Sequence, residues 1–105
     1  MQIDLLYFDG CPSWMDGLEN LKAALAAEDM QAEIRLVQVE DNAEAARLRF
    51  LGSPSFHVSG SDMWPEERVT YALSCRVYST PKGMKGAPTV EMLRQKLHLY
   101  RKHTP

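Results

Sequence analysis

The strongest constraint on this chain is its opening. An almost unbroken apolar run, Ile3 to Phe8, is closed by Asp9-Gly10 and followed by an amphipathic stretch. A run with so little alternation reads as a strand over 2–8 that is buried on both faces. Asp9-Gly10 supplies turn chemistry. Trp14, Leu18, Leu21 and Leu25 then recur at spacings of 4, 3 and 4, which predicts a helix from about Pro12 to Glu28 with one apolar stripe. Pro12 suits a first helical position, where its missing N–H has no partner to lose. Ala23, Ala24, Ala26 and Ala27 add helix propensity. Residues 32–39 alternate Glu33 and Arg35 with Ile34 and Leu36, and Val37 and Val39 continue the β-branched character of a second strand. A helical connection implies that the two strands run parallel, with a right-handed crossover.

Asp41-Asn42 offers a cap for a short helix through Phe50, with Gly52 placed to stop it. Ser53–Val58 reads as a third strand opened by Pro54, where a proline is tolerated. Residues 59–62 are turn-like, and 63–72 carry no regular pattern. Residues 73–78 read as a fourth strand, and Pro81, Gly83, Gly86 and Pro88 mark a loop. Val90, Leu93, Leu97 and Tyr100 form the inner stripe of a last helix over 89–100, with Arg101, Lys102 and His103 at its negative end. The predicted order is β-α-β-α-β-β-α: an α/β fold with a four-stranded mixed sheet and helices on both faces. At 105 residues it forms one domain, 1–105, and its last two strands pair as a hairpin with an unusually long connection.

This order, with Cys11-Pro12-Ser13-Trp14 after the first strand and Gly52-Ser53-Pro54 before the third, resembles the thioredoxin-like superfamily. The stretches Gly-Ser-Pro-Ser-Phe and Ser-Cys-Arg-Val-Tyr are similar to those of small bacterial thioredoxin-like proteins. The resemblance implies that Cys11 is the reactive cysteine at the start of the first helix. It implies a cis peptide bond before Pro54, with the backbone of Ser53 pairing to a bound peptide or to glutathione. A loop glycine, Gly83 or Gly86, would approach the same site. Pro12, Trp14, Ser53, Pro54 and Gly83 would then face the ligand. One departure matters: Trp14 stands where redox members carry a second cysteine, so no disulfide can form within the motif.

A cysteine at a helix N-terminus meets free N–H groups and the positive end of the dipole, which favour a nucleophilic thiolate. Cys75 is the one other thiol. On a fourth strand ending near Tyr78–Thr80, it would lie roughly 13 Å from the reactive end at the ordinary strand rise. A disulfide needs Cα atoms within about 7 Å, so Cys75 is not expected to resolve an intermediate. Trp14 lies on the core stripe and is expected to pack, with the option of covering the sulfur. His57 reads as a hydrogen-bonded strand histidine, and Lys82 and Lys85 as solvated loop residues. No cysteine or histidine pair has metal-ligand spacing, and no phosphate loop, zincin helix or serine-hydrolase elbow is present.

These features point to an atypical single-cysteine thiol–disulfide oxidoreductase. Cys11 would attack a disulfide-containing protein or a glutathione mixed disulfide, and an external thiol would complete the cycle. Glutathione enters as a co-substrate, with no resident cofactor and no metal. The alternative is a non-enzymatic module that holds a peptide or partner protein in the same groove; a minor one is the handling of a metal or thiol-reactive compound. A net charge of −2 argues against nucleic-acid partners. No apolar stretch approaches ~18 residues, so no membrane span is expected. The first residues lack a basic segment, so a cytoplasmic protein with reduced thiols is expected.

Overall fold

In the computed structural model, which describes residues 1–102, the apolar opening forms the centre of a sheet. The elements are β1 (Gln2–Tyr7), α1 (Trp14–Ala27), β2 (Glu33–Gln38), α2 (Asn42–Leu48), β3 (Ser55–Val58), β4 (Ser61–Asp62), β5 (Tyr78–Thr80), β6 (Gly83–Lys85) and α3 (Val90–Lys102). The sheet order is β2-β1-β3-β4, with β1 parallel to β2 and antiparallel to β3, and β4 antiparallel to β3. The sheet is therefore mixed and four-stranded, as the sequence predicts.

The apolar run of β1 is explained by helices on both of its faces. Ile3 and Leu5 join Leu21 and Leu25 of α1, Phe56 of β3 and Leu93 and Leu97 of α3 in one core. Leu6 points the other way and joins Val39, Ala45 and Phe50 around α2. Successive strand side chains alternate between faces, so burying both faces requires apolar residues at both parities. Arg94 of α3 bonds Glu28 at the end of α1, at 3.0 Å. Asn20 of α1 donates to the Pro88 carbonyl at 2.9 Å, fixing the entry to α3.

Four expectations are corrected. First, α1 begins at Trp14: the Cys11 N–H closes the Asp9-Gly10 turn on the Phe8 carbonyl, at 3.2 Å, and Pro12 and Ser13 form a further turn before the helix. Second, α2 ends at Leu48, because Arg49 takes a left-handed conformation (φ 52°) and the Phe50 N–H returns to the Ala45 carbonyl. Gly52 is thus free for another task. Third, the fourth strand is Ser61–Asp62, joined to β3 by Ser59 and Gly60, both at positive φ. That is a tight hairpin turn in place of a long connection. Fourth, residues 73–77 contribute only an isolated bridge, and the region expected as a loop after 78 is a separate ribbon of β5 and β6. His103 lies outside the described residues. Among the described residues, no helix is long and apolar enough to cross a membrane.

Candidate thiol site

Cys11 occupies the turn between β1 and α1 and is only 2% exposed. Its thiol donates to the Ser53 carbonyl at 3.3 Å. The Ser53–Pro54 peptide bond is cis. The Ser53 hydroxyl in turn accepts from the Phe8 N–H at 3.3 Å, tying the Pro54 loop to the end of β1. Helix α1 packs directly on this loop: a Cβ at Gly17 would stand 2.9 Å from Pro54 Cγ.

The backbone of Ser53 is already engaged on its open side. Its N–H donates to the Ser74 carbonyl at 2.8 Å, and its carbonyl accepts from the Arg76 N–H at 3.0 Å. Residues 74–76 therefore lie along Ser53 as a parallel bridge, with Cys75 opposite it. Gly52 makes this approach feasible. It holds φ 118°, and a Cβ there would meet Arg76 Cα and N at 3.0 Å. Only glycine satisfies both the dihedral and the space.

This bridge sets Cys75 opposite Ser53, whose carbonyl takes the Cys11 thiol. Cys75 is pushed above its ordinary value first by a hydrogen bond with the Cys11 thiol, then by burial and by the Cys11 charge. The wide separation expected from a regular fourth strand is not found, because residues 73–77 leave the sheet and turn their chain onto Ser53. Cys11 is buried and Cys75 exposed, and both are free thiols.

Arg76 anchors the crossing segment from below. It is buried and donates to Asp62 Oδ2 at 2.9 Å, to Ser55 Oγ at 3.2 Å and to the Trp64 carbonyl. Its guanidinium lies 4.9 Å from the centre of the Tyr78 ring, whose hydroxyl donates to the Pro54 carbonyl. Burial raises the Tyr78 phenol well above its usual value. Asp62 also accepts from the Trp64 N–H at 2.7 Å. Burial alone would raise the Asp62 carboxyl, but His57, the Arg76 charge and these hydrogen bonds hold it below its usual value.

Of the residues proposed from sequence, Cys11, Ser53 and Pro54 converge. Pro12 stands exposed beside Cys11. Trp14 stacks on Tyr7, with centroids 4.1 Å apart and planes at 23°, and packs against the core. Gly83 does not approach the site: it turns the exposed β5–β6 ribbon, with open space around it. Gly86 comes close instead, since a Cβ there would fall 2.3 Å from Ser13 Oγ. Lys82 and Lys85 are exposed on or beside the same ribbon. His57 faces Asp62 at 3.6 Å, beyond hydrogen-bond length. Ser74, Arg76 and Asp62 escape sequence reasoning. The available signal is an arginine two residues before Tyr78, both at the inward parity of an extended segment. Cys11 and Cys75 supply two sulfur ligands, but no three His, Cys, Asp or Glu side chains converge on a metal site among the described residues.

No protein-family model matches the chain, and neither a curated protein nor a solved structure is significantly similar to it.

Two outcomes follow. Gly52→Ala combines a strained dihedral with a backbone clash, so it destabilises the fold by about 1–3 kcal/mol in urea denaturation. It also weakens the approach of Cys75 to Cys11. A carboxyl held low by the fold stabilises it above the unfolded value near ~3.9, and that stability is lost as pH falls through the lower folded value. Unfolding free energy therefore declines below about pH 4, and Asp62→Asn shows a shallower decline over the same range.

Proposed function

We propose that this chain is a thioredoxin-like thiol–disulfide oxidoreductase whose redox couple is Cys11 and Cys75. The observation that carries this reading is the placement of both cysteines on Ser53: the Cys11 thiol on its carbonyl and Cys75 opposite it in the bridge. Trp14 removes the partner found within a Cys-x-x-Cys motif, and Cys75 supplies a partner from 64 positions further along the chain. In the cycle, the two thiols are oxidised to one S–S bond while a substrate disulfide is reduced to two thiols. Two molecules of a small external thiol such as glutathione then return the couple to its reduced form and leave as their own disulfide.

The geometry also bears on the substrate. The N–H and carbonyl of Ser53, expected to pair with a bound peptide, are taken by Ser74 and Arg76 of the same chain. An extended polypeptide has no such ladder to join while this segment stays in place. This favours a low-mass disulfide of the glutathione class over a protein strand, and it weighs against a module that holds peptides in the groove.

Mild oxidation with oxidised glutathione, followed by intact-mass measurement and peptide mapping, tests the couple. The expected product has lost two hydrogens and contains a Cys11–Cys75 peptide pair. Either cysteine changed to serine prevents it. A chain that ends instead with two separate glutathione adducts contradicts the proposal.

A further inference from the structure

We infer that Cys75 is the sulfur that meets the substrate, and that Cys11, despite its position after the first strand, is the buried resolving thiol. The inference rests on the oxidoreductase reading and assigns an order to its two sulfurs.

Access decides which sulfur of a pair takes part first in exchange, because the incoming disulfide must reach it. Cys11 is 2% exposed and is enclosed by the Ser53 carbonyl and the crossing segment. Cys75 is exposed, on the outward parity of a segment whose next residue, Arg76, points inward and is buried. The segment does not lift easily to uncover Cys11. It is held by two backbone hydrogen bonds to Ser53 and by the buried Arg76–Asp62 ion pair, with Arg76 5% and Asp62 6% exposed at the side chain. Opening it would leave a buried charge without its partner, an expensive state. Cys11 Sγ lies 3.3 Å from the Ser53 carbonyl and Cys75 stands opposite Ser53 in the bridge, so the Cys11 sulfur is placed to follow.

The steps balance as follows. Cys75 Sγ bonds to one sulfur of a disulfide RSSR, the S–S bond of RSSR breaks, and one RS⁻ departs. Cys11 Sγ then bonds to Cys75 Sγ, the Cys75–SR bond breaks, and the second RS⁻ departs. The two thiol protons of the pair end on the two RSH products. The protein has lost two electrons and RSSR has gained two.

A short pulse of substoichiometric N-ethylmaleimide on the reduced wild-type chain, with peptide mapping, tests the order. Label at Cys75 should exceed label at Cys11 by at least ~10-fold, as an exposed sulfur beside a buried one implies. In parallel, Cys11→Ser treated with oxidised glutathione should accumulate a stable single adduct at Cys75. Cys75→Ser should form its adduct at Cys11 more slowly. If Cys11 takes the label first while the wild-type chain still closes its internal disulfide, the order is overturned and the oxidoreductase reading stands. If the wild-type chain never closes that bond, both fall. The wild-type pulse needs no substitution, so a variant that folds poorly does not protect the inference.

Discussion

The two hydrogen bonds that Ser53 makes to Ser74 and Arg76 organise everything of interest in this molecule. An edge backbone with free N–H and carbonyl groups is a docking template. Here the chain satisfies its own template. The same bridge puts Cys75 opposite Ser53, whose carbonyl receives the Cys11 thiol. One local pairing thus closes the open edge and assembles a two-sulfur site from residues far apart in sequence.

Two features hold that pairing in place. Gly52 lets two backbones approach without a side chain between them. The Arg76–Asp62 pair fastens the segment to the β3–β4 hairpin, with Trp64 and Tyr78 completing the arginine's surroundings. A buried pair of this kind is weak evidence for net stability, because desolvation offsets much of the attraction. Its value here is positional: Arg76 has partners in this one arrangement, so its neighbour Cys75 has one place to be. Helix α1 does the same for the other sulfur, resting Gly17 on Pro54 and thereby setting the turn that carries Cys11.

Much of the sheet and its helices was legible because burial on two faces writes a strong pattern. The apolar run of β1, the stripe of α1 and the alternation near β2 left little choice. The second half was harder for physical reasons. β4 has two residues, too few to show alternation, and its Ser61 and Asp62 look like more of the turn that precedes them. Residues 73–78 do alternate, since Arg76 and Tyr78 are buried while Cys75 and Val77 are exposed. That is the pattern of an extended segment, and it carries no information about which backbone the segment pairs with. Treating it as a regular sheet strand set Cys75 far from Cys11. Arg76 was invisible because a charged residue reads as solvated unless its buried partner is known, and Asp62 lay in a presumed turn. Cys11, Ser53 and Pro54 were found because their motifs are local.

Amide hydrogen exchange at Ser53 and Arg76 tests the central claim most directly. The account predicts that both N–H groups are protected in the reduced protein, and that the Arg76 amide exchanges with those of the sheet and not with the flanking residues 66–70. Exchange of Arg76 as fast as an open loop, with Ser53 equally unprotected, would mean that the segment does not lie on Ser53. The two sulfurs would then have no common site.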